Sequence, residues 1–139
     1  MKTLLKTTLP LLFFLLQFHV QAQTEKGEAS YYHNKFDGRG TSNGEIFRQN
    51  KYTCAHKTLP FGTWLKVTRV KNNQFIFVRV NDRLPKSSKR CIDLTMLCAQ
   101  KLDFVKNGHT QVQLEIVNAE DVPEEFKSAI ELKPKPKKK

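Results

Sequence analysis

Alternation is the feature that most restricts what this chain can fold into. Across residues 110–117, Val112, Leu114 and Ile116 fall on one side and Gln111, Gln113 and Glu115 on the other, the two-residue period of a half-buried strand. Residues 64–70 and 74–81 flank Lys71-Asn72-Asn73, which predicts a hairpin. In its second strand Ile76, Val78 and Val80 share a face and Asp82 follows in the same parity. A carboxylate is therefore expected at the lip of the core, just past the strand end. Residues 27–32, 53–56 and 91–94 read as further short strands, separated by a Gly/Asn/Asp-rich loop at 33–44 and a turn at 59–63. Leu94, Leu97, Cys98 and Leu102 recur at helical spacing, and Gly108 marks a turn. Residues 124–132 form at most a marginal helix with no function attached to it. Six short strands and one short helix, without an internal repeat, must hide their edges, so the expected fold is mainly β and closed into a compact barrel.

The two ends of the chain read differently from its middle. Lys2 and Lys6 precede an apolar run at residues 9–16, and Val20-Gln21-Ala22 follows, the layout of a cleavable export signal over residues 1–22. The run is short for a bilayer span, and no cysteine stands at the cleavage point. A soluble protein of the periplasm or the exterior is expected, without a lipid anchor. What remains suits one domain, residues 23–120, followed by a basic tail, residues 121–139. The formal charge of +11 is concentrated at the ends: two lysines lie in the leader and five in Lys133-Pro134-Lys135-Pro136-Lys137-Lys138-Lys139. Residues 23–132 hold 17 basic and 13 acidic groups, so the domain itself is only mildly basic. The tail is expected to be extended, and is either a solubilising end or a weak electrostatic contact with anionic envelope polymers or lipid headgroups. Export argues against a nucleic-acid partner.

Polar residues cluster at strand ends and loops, where a rigid barrel presents groups to a ligand. Four clusters stand out: Gly38-Arg39-Gly40-Thr41-Ser42-Asn43-Gly44-Glu45, Thr53-Cys54-Ala55-His56-Lys57-Thr58-Leu59-Pro60-Phe61-Gly62-Thr63, Val78-Arg79-Val80-Asn81-Asp82-Arg83 and Ile92-Asp93-Leu94-Thr95. In order and spacing these segments, with the Ser30-Tyr31-Tyr32 strand end, resemble the RlpA-like (rare lipoprotein A) family of double-psi β-barrels, relatives of the expansin and barwin domains. The resemblance covers residues 27 to about 117. It implies a six-stranded double-psi β-barrel and the activity of a lytic transglycosylase that cuts peptidoglycan glycan strands. The family's functional histidine falls on His56 and its functional aspartate on Asp82, and Asp93 matches the acidic residue of the Asp-Leu-Ser motif. One departure bears on activity: Glu45-Ile46-Phe47-Arg48 stands where the family has Glu-x-Tyr-Asp, so Arg48 replaces a carboxylate. Leu84 stands where glycine is usual before Pro85, and the lipid-attachment cysteine and carboxy-terminal glycan-binding domain of some relatives have no counterpart in this sequence.

Hydrolysis of a β-1,4 glycosidic bond ordinarily needs two carboxylates. A lytic transglycosylase needs fewer, because the C6 hydroxyl of N-acetylmuramic acid (MurNAc) attacks its own anomeric carbon to give a 1,6-anhydro ring. One group can protonate the glycosidic oxygen and then accept the hydroxyl proton. Asp82 is the candidate for that role, with partial desolvation expected to raise its pKa. His56 is expected to bond the sugar or Asp82, and Asp93 to orient that pair, to act as the alternative acid, or to cap the following helix. Tyr31, Tyr32, Phe61 and Trp64 offer faces for sugar rings, and packing in the case of Trp64. Lys57 and Arg83 suit anionic groups, and Glu45 and Asn81 complete the candidate substrate-binding set with Tyr32 and Phe61.

His33 and His109 read as exposed loop residues, and the histidines are too dispersed for a zinc site, so no metal and no cofactor are expected. If His56 and Asp93 face one groove, Cys54 and Cys91, each two residues earlier, share a face and are the preferred disulfide, leaving Cys98 as a buried helix thiol. The expected partner is the peptidoglycan glycan strand, and the expected state a monomer. The alternative is a non-catalytic, expansin-like wall-binding module, which Arg48 favours.

Overall fold

The computed structural model describes residues 23–129. The expected leader at 1–22, the lysine-rich end and the last part of the expected 124–132 helix lie outside the described residues.

Six strands, β1 (Thr24–Tyr31), β2 (Thr53–His56), β3 (Trp64–Arg69), β4 (Phe75–Arg83), β5 (Ile92–Leu94) and β6 (His109–Val117), close in the order β1-β5-β2-β4-β3-β6. Antiparallel pairing of β6 with β1, Val112 opposite Gly27, completes the ring and leaves no strand edge open. Two pairings are parallel, β1 with β5 and β2 with β4, so the chain crosses the barrel rather than meandering around it.

Alternation delivers the core as the sequence predicts. Val67, Ile76, Val78, Val80, Val112 and Leu114 are buried, and Leu65, Ile92 and Leu94 join them from neighbouring strands. Each fully buried aliphatic side chain contributes about 1.5–3 kcal/mol through its removal from water. Helix α1 (Met96–Lys101) plugs one side with Cys98 and Ala99, and Thr95 caps it by accepting from the Cys98 amide. The cap is thus Thr95 and not Asp93. A second helix, α2 (Glu124–Ser128), brings Phe126 against Phe77 and Tyr52, and with Val122 it helps cover Trp64 on the outside of β3 and β4. Trp64 is therefore packed and offers no sugar platform.

Two strand bounds differ from expectation by more than one residue. β1 begins at Thr24 because its first, polar residues pair with β6 at the barrel rim. β4 continues through Asp82 to Arg83, because β2 pairs with it beyond a slip of one residue: Cys54 is opposite Val80, but Ala55 is opposite Asp82. A strand irregularity of this kind re-aims the side chains that follow it.

The expected Cys54–Cys91 disulfide is absent, and all three cysteines are free thiols. Its premise fails in the β2/β5 register, where His56 is opposite Ile92 and Asp93 is opposite Ala55. His56 and Asp93 therefore do not share a face, and Cys91 packs instead against Gly27, where an added Cβ would come within 2.9 Å of its Sγ. Burial pushes the Cys91 thiol up to about 11 and the Cys98 thiol up to about 12, and raises Cys54 as well, so all three are unreactive in the folded state.

Candidate functional site

The register slip creates the site. Ala55 pairs with Asp82 on one side and Asp93 on the other, so a single methyl group forms the floor between two carboxylates. At ordinary strand spacing their Cα atoms are about 10 Å apart. Ser30 pairs with Asp93 on the next strand, and Tyr32 follows it at the end of β1.

Asp82 is half-buried at one wall, and its two oxygens have different partners. Oδ1 accepts from the Ser42 amide (2.9 Å), the Ser42 hydroxyl (2.7 Å) and the Arg83 amide (2.9 Å), whereas Oδ2 accepts from Tyr32 Oη at 2.5 Å. Desolvation opposes ionisation, but these four donors outweigh it and hold the carboxyl below its ordinary range. The expectation that burial would raise the Asp82 pKa is therefore corrected: hydrogen bonds to the charged form win. Tyr32 carries the complementary shift. Burial first, then its bond to Asp82 and the charges of Asp82 and Asp93, push the phenol well above its ordinary value, so it stays protonated. Its ring lies 4.2 Å from Phe47 and 6.0 Å from Phe36, centroid to centroid, which fixes the hydroxyl and occupies the ring.

Ser42 reaches Asp82 because residues 40–46 form a small hairpin clamped to β4. Gly40 bridges Ile46, and Gly44 takes φ +90°, a value that suits glycine at the return. Both Glu45 carboxylate oxygens meet the Arg79 guanidinium at 2.7 Å, Asn43 and Asn81 donate to the same group, and the Asn43 amide bonds the Asn81 carbonyl. The Arg79 fork leads in lowering the Glu45 pKa to about 2, against desolvation. With its acceptors occupied, Glu45 braces the hairpin rather than presenting itself to a ligand, and Asn81 does the same from a buried position.

Asp93 forms the other wall, accepting from Ser30 Oγ at 2.5 Å with Arg90 Nη1 3.4 Å away. Arg83 lies over the exposed ring of Phe61, 4.0 Å from its centroid, placing a cation and an apolar face beside Asp82. Lys57 follows β2, half-buried, at the same end of the strand. Arg48 turns to Asp37, 3.7 Å away, within the 33–50 loop. Tyr31 points its hydroxyl to the Val105 carbonyl and its ring to Phe104, as a packing residue.

His56 does not join Asp82. Its side chain is sealed, Nδ1 accepts from the Thr58 and Leu59 amides at 3.1 Å, and Nε2 meets Glu25 Oε2 at 2.9 Å. Since two amides require an unprotonated Nδ1, the proton sits on Nε2 and is donated to Glu25. The imidazole thus ties the 57–59 turn to the start of β1. Arg90 belongs to the site but escaped the sequence reading, and Ser30, Ser42, Ala55 and Arg79 lay within its motif segments without a role assigned to them. Of these, Ser42 carried a signal in its Thr-Ser-Asn-Gly turn composition.

A closed six-stranded barrel with two parallel pairings, β1 with β5 and β2 with β4, defines the class as a double-psi β-barrel. The model of the lytic transglycolase family matches residues 24–114, and the chain belongs to that family. It is similar to the endolytic peptidoglycan transglycosylase RlpA of Neisseria meningitidis serogroup A, 46% identical over 101 residues, covering 72% of this chain and 42% of that protein. The RlpA of Haemophilus influenzae is 44% identical over 94 residues, covering 68% of this chain and 33% of that one. The chain thus spans well under half the length of these relatives. Among solved structures the fold is shared with a Streptomyces papain inhibitor (TM-score 0.56, 22% identity, covering 69% of this chain and 96% of the inhibitor). It is also shared with a Clavibacter michiganensis expansin (TM-score 0.54, 19% identity, covering 70% and 52%).

Proposed function

We propose that this protein is a lytic transglycosylase acting outside the cytoplasm on peptidoglycan, in wall remodelling or daughter-cell separation. It cleaves the β-1,4 bond between MurNAc and N-acetylglucosamine (GlcNAc) within glycan strands and leaves a 1,6-anhydroMurNAc end. Its similarity to proteins named for that activity supports the substrate class. The observation that carries the chemistry is Asp82, a half-buried carboxyl that four donors hold below its ordinary range, paired across the sheet with the small Ala55. Such a group accepts the C6 hydroxyl proton as that oxygen attacks the anomeric carbon. Phe61 and Arg83 suit a sugar face and its anionic substituent.

The second reading, a wall-binding module without turnover, gains from the sealed His56, which leaves Asp82 without the imidazole partner that the resemblance implies. One experiment separates the two. Mature protein incubated with purified peptidoglycan, with and without stem peptides, should release 1,6-anhydro-muramoyl fragments visible by mass spectrometry. Asp82→Asn should reduce release about a thousandfold, within the range for loss of a general base. Retention on insoluble wall with no fragment released would make the protein a binder.

A further inference from the structure

The site as built lacks an evident general acid. Asp82 and Asp93 are held as hydrogen-bond acceptors, Glu45 is ion-paired with Arg79, His56 is enclosed, and the Arg83 guanidinium keeps its protons. Yet the departing O4 of GlcNAc must gain a proton as its bond to C1 breaks. The unequal dressing of Asp82 supplies an answer. Oδ1 is saturated by three donors from Ser42 and Arg83, so the oxygen with an open lone pair is Oδ2, and its neighbour at 2.5 Å is the Tyr32 hydroxyl.

Building on the transglycosylase reading, we propose that Tyr32 is a second catalytic residue: it protonates the leaving O4 while Asp82 takes the C6 hydroxyl proton. The C6 oxygen forms its bond to C1 as the C1–O4 bond breaks. The C6 hydroxyl proton passes to Asp82 Oδ2, and the phenolic proton passes to O4. Asp82 then returns its proton across the 2.5 Å contact to the phenolate. One proton has moved from C6–OH to O4, no water is consumed, and both residues are restored.

Groups this close titrate as a pair that shares one proton. In the resting site it sits on Tyr32, which burial first, and then the hydrogen bond to Asp82 and its charge, hold protonated. Once Asp82 is neutralised by the substrate's own hydroxyl, the Asp82 share of that restraint is lifted, and the phenolic proton passes to O4 as negative charge develops there. The other charged or titratable groups facing the pair are Asp93 from β5, Arg83 from β4 and Cys54 beneath from β2, and none of these makes a hydrogen bond to the phenol. The packing of Phe36 and Phe47 on the ring aims the hydroxyl rather than leaving the face to a sugar.

Leaving-group dependence tests the proposal. Tyr32→Phe should cut anhydro-product release from peptidoglycan by about 10²–10³ with little change in KM. On a 4-nitrophenyl β-glycoside of GlcNAc-MurNAc, whose nitrophenolate departs without a proton, the same variant should keep most of the wild-type rate. Asp82→Asn should remain inactive on both, and Ser42→Ala, which removes the other hydroxyl from Asp82, should slow both alike. Replacing Tyr32 with a fluorotyrosine, which keeps the ring and a more acidic hydroxyl, should restore release from peptidoglycan that Tyr32→Phe loses, which ring packing alone would not do. Equal impairment of Tyr32→Phe on the two substrates, or full activity on peptidoglycan, overturns the role. Wild-type protein that yields anhydro product from neither substrate overturns the function and the relay together.

Discussion

Asp82 owes its charge to a side chain outside its own set of hydrogen bonds. Glu45 grips Arg79, that grip places the 40–46 hairpin on β4, and the hairpin delivers two of the four hydrogen bonds on Asp82. Glu45→Gln removes the ion pair while preserving shape. It should raise the pH at which Asp82 protonates, seen as an upward shift in the acid limb of the rate profile and in a carbon-13 titration of the Asp82 carboxyl. Unchanged limbs would mean that the hairpin holds Ser42 without the clamp. Stability follows the same sign. Glu45 has its folded pKa lowered to about 2, so its contribution is present above its ordinary carboxyl range and is lost as pH falls toward about 2. The melting-temperature gap between wild type and Glu45→Gln should therefore be full near neutrality and close on acidification. A gap that persisted near pH 2 would assign the effect to shape instead of charge.

Between elements, the barrel relies on one buried cation. Arg69 at the end of β3 is 5% exposed and donates to the Leu102 and Asp103 carbonyls beyond α1 and to Thr110 on β6. Arg69→Met should cost about 1.5–3 kcal/mol in urea unfolding, the usual worth of hydrogen bonds from a charged donor. A loss below 0.5 kcal/mol, by order of magnitude a surface effect, would show that these carbonyls find other partners. Such joints mark the boundary of what the sequence discloses. Strands at 64–70, 74–81 and 110–117 were legible because one face of each carries the aliphatic core, which writes a period of two into the residues even where Trp64, Phe77 and Asn81 are buried on the other face. The polar start of β1 was not legible, since Thr24, Glu25 and Lys26 are held by pairing with β6 and not by burial. Nor was the slip at Cys54/Ala55. Parity counted along one strand puts Asp82 with Val80, and only the partner strand reveals that Asp82 lies opposite Ala55. That single residue of register separates Asp82 from the face of His56, and the expected disulfide fails on a second register, that of β2 with β5, which a single strand discloses no better. Asp82, Asp93, Tyr32 and Arg83 were found by sequence, but the hydrogen bonds that decide their protonation come from loops distant in the chain.

At the scale of the molecule, closure governs how the barrel opens. Every strand is paired on both sides, so no strand of the ring can peel away without breaking two ladders. Cys54 inside the ring and Cys98 on the buried face of α1 are both 0% exposed, whereas Cys91 lies 6% exposed, before the short strand β5. Local opening therefore exposes Cys91 first, while Cys54 and Cys98 wait for the barrel to come apart as a unit. Thiol labelling of the reduced protein under native conditions should show one faster site, Cys91, and two slow sites. The slow pair should be protected by the same free energy, equal to that from denaturant unfolding. Labelling of Cys98 well ahead of Cys54 would mean that α1 detaches from an intact barrel. Labelling of Cys54 ahead of global unfolding would mean that the ring opens near β2, the strand that carries Ala55 between the two carboxylates. With β2 buried along its whole length, the two carboxylates flanking Ala55 are kept at fixed separation, as the proposed acid–base chemistry requires.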